Sequence, residues 1–254
     1  MNIQDTKPVA LCLFAALLVV ASGTSRAALS ARDLDSNPAT IEAYYDTTLH
    51  ITWLADANYA NSSGYATVGA SGGPNNSGVM TWDNAMLWAA GLNINGITGW
   101  RLPAVTDTGP SGCDWDTNGT DCGYNVDVAT GEMADMFHTT LGNLAFYTTT
   151  GTPRPVSGLN NHGPFSNLQA TVYWSGLAAD SGSAWYFNFG LGYQEIRNKT
   201  YDGYAWAVHA GDVGAAVVPA PAAAWLLASA LFGLAGMRRG HSRWHRGNSP
   251  ATAR

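Results

Sequence analysis

Charge is scarce in this chain. Of its 254 residues only 12 % are Asp, Glu, Lys or Arg. Between Leu29 and Val217 there are five basic residues (Arg32, Arg101, Arg154, Arg197 and Lys199) against seventeen acidic ones, a net charge of −12. Such a body repels nucleic acid and sulfated polyanions, so no nucleic-acid partner is expected. Cysteine is nearly absent, at three. Cys12 lies in an N-terminal apolar run, which leaves Cys113 and Cys122 for the rest of the chain. Catalytic signatures are missing as well. There is no Gly-x-Ser-x-Gly, no phosphate loop and no dinucleotide fingerprint, and Ser175 lacks the glycine that a nucleophile elbow needs before it. His50, His138, His162 and His209 show no metal-ligand spacing, and His241 and His245 lie in the C-terminal tail. No carboxylate couple stands out as an acid/base pair. These gaps point to a protein that is not an enzyme.

What is present is apolar, aromatic and rich in glycine. Hydrophobic residues make up 46 %, with 29 Gly, 10 Trp and 11 Tyr. That mixture suits a loop-rich domain containing β-structure better than a helical bundle. Both ends are greasy. Lys7, the run Val9 to Val20 and the Ser25-Arg26-Ala27 step have the three parts of a secretory signal peptide. The run is short for a bilayer span, and a buried N-terminal helix is the alternative. At the other end Ala222 to Met237 is an apolar helix candidate with Pro219 and Pro221 before it and Arg238 and Arg239 behind it. As a helix it would reach roughly 24 Å, against the ~30 Å of a hydrocarbon core. The division expected is 1–27 signal peptide, 28–216 folded domain, 217–239 membrane segment and 240–254 basic tail.

The order of proline motif, short apolar span and arginine pair resembles the PEP-CTERM sorting tail of exported bacterial proteins. Val218-Pro219-Ala220-Pro221 looks like its Val-Pro-x-Pro variant. That resemblance implies an exosortase-type protease as partner, and a plain C-terminal membrane anchor is the alternative. Both place the domain outside the cytoplasm, at the envelope, the cell surface or the extracellular matrix.

Within the domain, Leu49, Ile51 and Trp53 alternate with His50 and Thr52, a strand signal, and Asp56-Ala57-Asn58 reads as a turn. The Gly/Ser/Asn-rich stretch from Asn61 is a loop. A helix is expected from Trp82, capped by Thr81, with Asp83 in its first turn and Trp82, Ala85, Met86, Ala89 and Leu92 on one face. Further strands are expected where Trp185, Phe187 and Phe189 alternate with Tyr186 and Asn188, and where Tyr204, Trp206 and Val208 alternate with Ala205 and Ala207. Each would be half-buried with one aromatic face. The fold class is α+β, with antiparallel strands, two helices and long loops.

Trp53-Leu54-Ala55-Asp56, the Trp82 helix and Gly99-Trp100-Arg101-Leu102-Pro103 together resemble the Lcl C-terminal domain family, named for a Legionella collagen-like adhesin. A second helix over Gly131–Leu141, Tyr173-Trp174-Ser175-Gly176, Ala184–Gln194 and Tyr204–Val213 extend the likeness, which covers about Ala39 to Val213. The last strand departs from it, with His209 where an Arg is usual. The resemblance implies a C-type-lectin-like fold and glycan binding. The family's sulfated ligands do not suit a charge of −12, so a neutral polysaccharide, or a glycan bridged by calcium, is expected instead.

Cys113 and Cys122 close the ten-residue loop CDWDTNGTDC. In an oxidising compartment a disulfide is the default, and a reactive thiol is the alternative. Inside the loop Asp114, Asp116, Asn118 and Asp121 surround Gly119 in an order like the opening of an EF-hand calcium loop. Position twelve is Asn125 instead of a bidentate Glu, so a polar turn is the other reading. For sugar stacking the candidates are Trp115, Tyr124, Trp174, Trp185, Tyr186 and Tyr193, with Trp115, between two aspartates, the one expected to be exposed. Three functions remain open: an exported glycan- or matrix-binding protein, an extracellular enzyme, or a purely structural matrix component.

Overall fold

The strand signal around Trp53 forms a strand that starts two residues late. In the computed structural model, which describes residues 29–65, 67–68, 74–75 and 77–216, Leu49 and His50 belong to a turn, with His50 at φ 55°. The expected signal peptide over 1–27 and the expected tail, with Val218, Pro219, Pro221, Arg238 and Arg239, lie outside those residues. Among the described residues no helix is long and apolar enough to cross a membrane.

The architecture is α+β, as expected. One six-stranded sheet contains β1 (Leu29–Asp33), β2 (Ala43–Asp46), β3 (Ile51–Leu54), β7 (Trp100–Arg101), β13 (Val208–Ala210) and β14 (Ala215–Ala216), in the order β14-β1-β2-β3-β13-β7. The other contains β6 (Val79–Met80), β8 (Gly123–Tyr124), β9 (Val172–Ala178), β10 (Ser183–Asn188), β11 (Tyr193–Asn198) and β12 (Gly203–Tyr204), in the order β6-β12-β9-β10-β11-β8. All the pairings are antiparallel except β12 beside β9. A two-stranded ribbon, β4 (Thr67–Val68) with β5 (Pro74–Asn75), sits within the glycine-rich stretch that reads as a loop.

Among the described residues the α-helices are α1 (Tyr59–Ser62), α2 (Trp82–Gly91) and α3 (Glu132–Asp135), with a 3-10 turn over Val128–Thr130 before α3. The sequence pattern missed α1, which is a single turn entered through an Asx bond from the Asn58 N–H to Asp56. Helix α2 buries Ala85, Trp88 and Ala89, but the Thr81 side chain makes no capping bond; the Thr81 carbonyl instead accepts the Ala85 N–H. The expected second helix is α3 running straight into a π-helical turn over Met136–Thr140.

The core joins both sheets through aromatic rings. Trp206 is fully buried and lies 4.6 Å from Trp53 and 4.7 Å from Phe165, ring centre to ring centre. Phe137, from the π turn, packs on Phe187 and Phe189. The single strand expected over Tyr204–Val208 is in fact two, one in each sheet, with Ala205–Ala207 crossing between them. The crossing is held where the Leu54 N–H meets the Ala207 carbonyl and the Trp206 indole N–H meets the Leu54 carbonyl. The strands also differ from the half-buried expectation. All four residues of β3 are buried, and so are Ala184 through Phe187 in β10. Trp185 lies in a second apolar cluster with Val105 and Cys122.

The Trp-Arg-Leu-Pro segment is a structural clamp. Trp100 and Leu102 are buried, and the Pro103 carbonyl accepts the Gly176 N–H. Arg101 grips Glu132, at the start of α3, with two 2.7 Å bonds, and Glu132 also accepts the Ala104 N–H. Arg101→Ala is expected to cost about 2 kcal/mol, more than the 0.2–1 of a fully exposed pair, because the mostly buried Glu132 charge is left without its partner. Urea unfolding would check it. A shift below roughly 0.5 kcal/mol, the range of neutral surface changes, would mean the clamp does not hold the two elements together.

Candidate functional site

The disulfide loop is built to present one ring. Cys113 and Cys122 are bonded, which in the loop-entropy picture contributes on the order of 2–3 kcal/mol. The loop folds back onto β8. The Asp116 N–H meets the Cys122 carbonyl, and the Tyr124 N–H meets the Asp116 carbonyl. This closeness requires glycine at 123. A Cβ there would lie 1.8 Å from the Asp116 carbonyl oxygen, and φ is 99°. Asn125 locks the far side, its amide donating to the carbonyls of Thr117 and Tyr147. So the residue at the twelfth loop position ties backbone together where an EF-hand would place a calcium ligand.

Strand pairing then gathers the rings. Tyr193 stands opposite Tyr124 across β11 and β8, and Tyr186 and Asn188 of β10 face Glu195 and Tyr193. Trp115 comes edge-on to Tyr124 and Tyr193, at 5.7 and 5.6 Å. Tyr193 lies 5.2 Å from Tyr124 and 5.9 Å from Tyr186. The four residues Trp115, Tyr124, Tyr186 and Tyr193 therefore form one continuous aromatic group. Trp115 is 48 % exposed, the only tryptophan among the described residues that is; Tyr193 is half-buried, and Tyr124 and Tyr186 are buried beneath them. Trp174 and Trp185 are fully buried and are core, which removes them as stacking candidates.

Three residues beside this group escaped the sequence reading. Tyr147 packs edge-on against Tyr124. Glu195 accepts the Tyr186 hydroxyl at 2.6 Å, and the Asn188 amide reaches the Tyr193 hydroxyl. Burial, reinforced by the Glu195 bond, pushes the Tyr186 hydroxyl well above the ordinary tyrosine range, so it stays a donor. Period-2 alternation marked Asn188 as a strand residue and left Glu195 unmarked, and nothing in the pattern says which strands pair.

The expected calcium set divides. Asp116 turns one carboxylate oxygen to the Thr117 N–H, and Asn118 is exposed. Asp114 and Asp121 come together instead. Asp121 is fully buried, with one oxygen on the N–H and hydroxyl of Thr108. Burial raises its pKa, Thr108 opposes that, and the Asp114 carboxyl, within hydrogen-bond reach, adds to the rise.

A separate hollow of about 320 Å³ lies beside α1, with Leu54, Tyr59 and Ile94 as apolar wall and Asp35, Glu42 and Asp56 as polar wall. Asp33, Asp35 and Glu42 bring one carboxylate oxygen each within 4.8 Å of one another, the one such His/Cys/Asp/Glu threesome among the described residues. Each of the three also accepts a backbone N–H: Asp33 and Asp35 from Asp35 and Asn37 two residues on, and Glu42 from Leu34 across the turn. Among the described residues the histidines form no such group. Compared with protein-family models, with curated proteins and with solved structures, the chain has no match.

Proposed function

We propose that this chain is an exported, non-enzymatic protein of the cell envelope or its matrix, and that the Trp115 platform binds a neutral glycan. The half-exposed Trp115 ring carries this reading: it is held by a disulfide loop against Tyr124 and Tyr193 and flanked by polar groups. An indole face covers the apolar face of a sugar ring, while Glu195, Asn188 and tyrosine hydroxyls suit its hydroxyls. The surplus of carboxylates favours a neutral sugar over a sulfated one. The disulfide supports an oxidising address.

The finer fold, C-type-lectin-like within the Lcl C-terminal family, is part of the same proposal. It is supported by the pairing of β1 with β14, Arg32 opposite Ala216, which brings the two ends of the domain side by side. Arg32 and Asp212 fasten that edge with a two-bond ion pair. A leader before residue 28 and a membrane segment over 217–239 would then leave from one edge, with the platform carried outside and an exosortase-type protease or the bilayer as partner at the tail.

Trp115→Ala is expected to weaken binding of a neutral polysaccharide about 10-fold, the size of a lost aromatic contact with its buried area. It should leave the unfolding midpoint nearly unchanged, since the ring is half in solvent. A glycan array on wild type and variant reads it. Equal binding by both, or a preference for sulfated glycans, would remove the platform from the function. Turnover of any arrayed polysaccharide would favour the enzyme reading, with the acid-walled hollow at Asp35, Glu42 and Asp56 as the first place to look.

A further inference from the structure

We propose that Asp114 and Asp121 hold a divalent cation, calcium by its chemistry, and that the ion fixes the loop that carries Trp115. Only the consequence for Trp115 rests on the platform reading; the ion site stands on its own geometry. Asp121 is fully buried, and its Oδ1 is sealed from solvent with no donor. The Asp114 Oδ1 is sealed and without a donor in the same way, and the two carboxyls lie within hydrogen-bond reach of each other. Neither is ion-paired among the described residues, where the bridges run Arg32–Asp212 and Arg101–Glu132. Two carboxylates that close, away from water, do not both stay ionised unless a positive charge lies between them. A buried acceptor with no donor is costly, and two neighbouring carboxyls that each keep one such oxygen offer lone pairs to a cation. The donors are hard oxygens, which select calcium or magnesium, and an irregular loop suits calcium's adaptable shell better than magnesium's strict octahedron.

The covalent frame favours the same pair. Asp114 follows Cys113 and Asp121 precedes Cys122, so the disulfide holds the two carboxyls together. The ligand set differs from the EF-hand order in the sequence, because Asp116 turns to the Thr117 N–H and Asn118 is exposed. Trp115 lies between Asp114 and Asp116, so an ion on Asp114 restrains the indole one residue away.

The test is calorimetric titration of calcium chloride into the full-length, EDTA-treated protein in detergent, with melting curves beside it. The expected result is one bound calcium per chain and a melting temperature raised by about 5 °C or more at saturating calcium. Asp114→Asn and Asp121→Asn should each abolish binding, and Asp116→Asn should keep it. No heat and no melting shift in the wild type would overturn the site, whatever the variants do. So would binding lost in Asp116→Asn but kept in Asp121→Asn, or a pair that responds to protons alone. If an Asn variant fails to fold, the wild-type titration and the Asp116→Asn control still decide. Glycan binding is scored separately. Calcium bound without any glycan bound sinks the platform and keeps the ion; glycan binding that is indifferent to EDTA keeps the platform and sinks the ion's hold on Trp115.

Discussion

Trp206→Ala is expected to remove about 3–5 kcal/mol of stability, the range for deleting a large buried aromatic. Trp206 is fully buried at the crossing between the two sheets. Its ring touches Trp53 and Phe165 closely, and Tyr173 and Phe189 at 6.2 and 6.1 Å. Nothing nearby readily fills the volume, because its neighbours are rigid, buried rings, two of them fixed on β3 and β9. The indole N–H also satisfies the Leu54 carbonyl at 2.8 Å, and orphaning that buried acceptor adds on the order of 1 kcal/mol. Domains have about 5–15 kcal/mol in total, so the variant should be largely unfolded in mild urea or at modest temperature. Trp206→Phe keeps most of the ring and loses the bond, and should fall between. Urea midpoints for the three proteins measure it. A loss under about 1 kcal/mol in the alanine variant, far below the range for a buried tryptophan, would mean that the two sheets do not depend on this contact.

The same residue shows where the sequence stops being readable. Alternation from Tyr204 to Val208 looks like one strand, because apolar spacing records burial and says nothing about which sheet a backbone bond reaches. Burial was legible for Trp53, Trp100, Leu102 and Phe187, all deep in the core. The faces were not. Where every residue of a strand is apolar or aromatic, as in Ala184–Phe187, alternation cannot distinguish one covered face from two. Partners distant in the chain were also invisible: Arg101 reads as a lone cation until Glu132, 31 residues on, is folded against it. Trp115 was legible as exposed because two aspartates flank it, and polar neighbours in a glycine-bearing loop rarely go inside together. Tyr147 and Glu195 gave no signal, since the pairing of β11 with β10 brings Glu195 to the platform and Tyr147 comes to Tyr124 from a loop tied to the Asn125 amide. The proposed calcium positions were half legible. The acids were visible in the sequence, but spacing along a loop assigned them by analogy, whereas the disulfide selects the pair beside it.

Lowering the pH from about 6.5 to 4 is expected to weaken the fold by up to about 3 kcal/mol through one residue, His138. It lies on the π turn, edge-on to Phe137 at 4.8 Å and Phe187 at 6.1 Å, and its Nε2 is sealed without a partner. Burial drives its pKa down to about 4, with the nearby Arg154 charge adding to the fall and the Asn143 backbone opposing it. In the unfolded chain the same imidazole titrates near 6.5. Between those values the unfolded chain takes up a proton that the folded one refuses. The stability is therefore whole above pH 6.5, falls as pH drops towards 4, and levels off below that. Buried Asp121 and Asp135, both shifted up, act in the opposite sense, because their folded forms accept protons more readily than the unfolded chain does. The wild-type curve alone would mix these effects, so the comparison is with His138→Phe, which keeps an apolar ring among the phenylalanines. The variant should lose the downward slope between pH 6.5 and 4 and keep the carboxyl contribution. Urea midpoints across that window measure the difference. Parallel curves for the two proteins would mean that His138 takes its proton inside the fold, and that the π turn opens to water where its ring nitrogen now lies sealed.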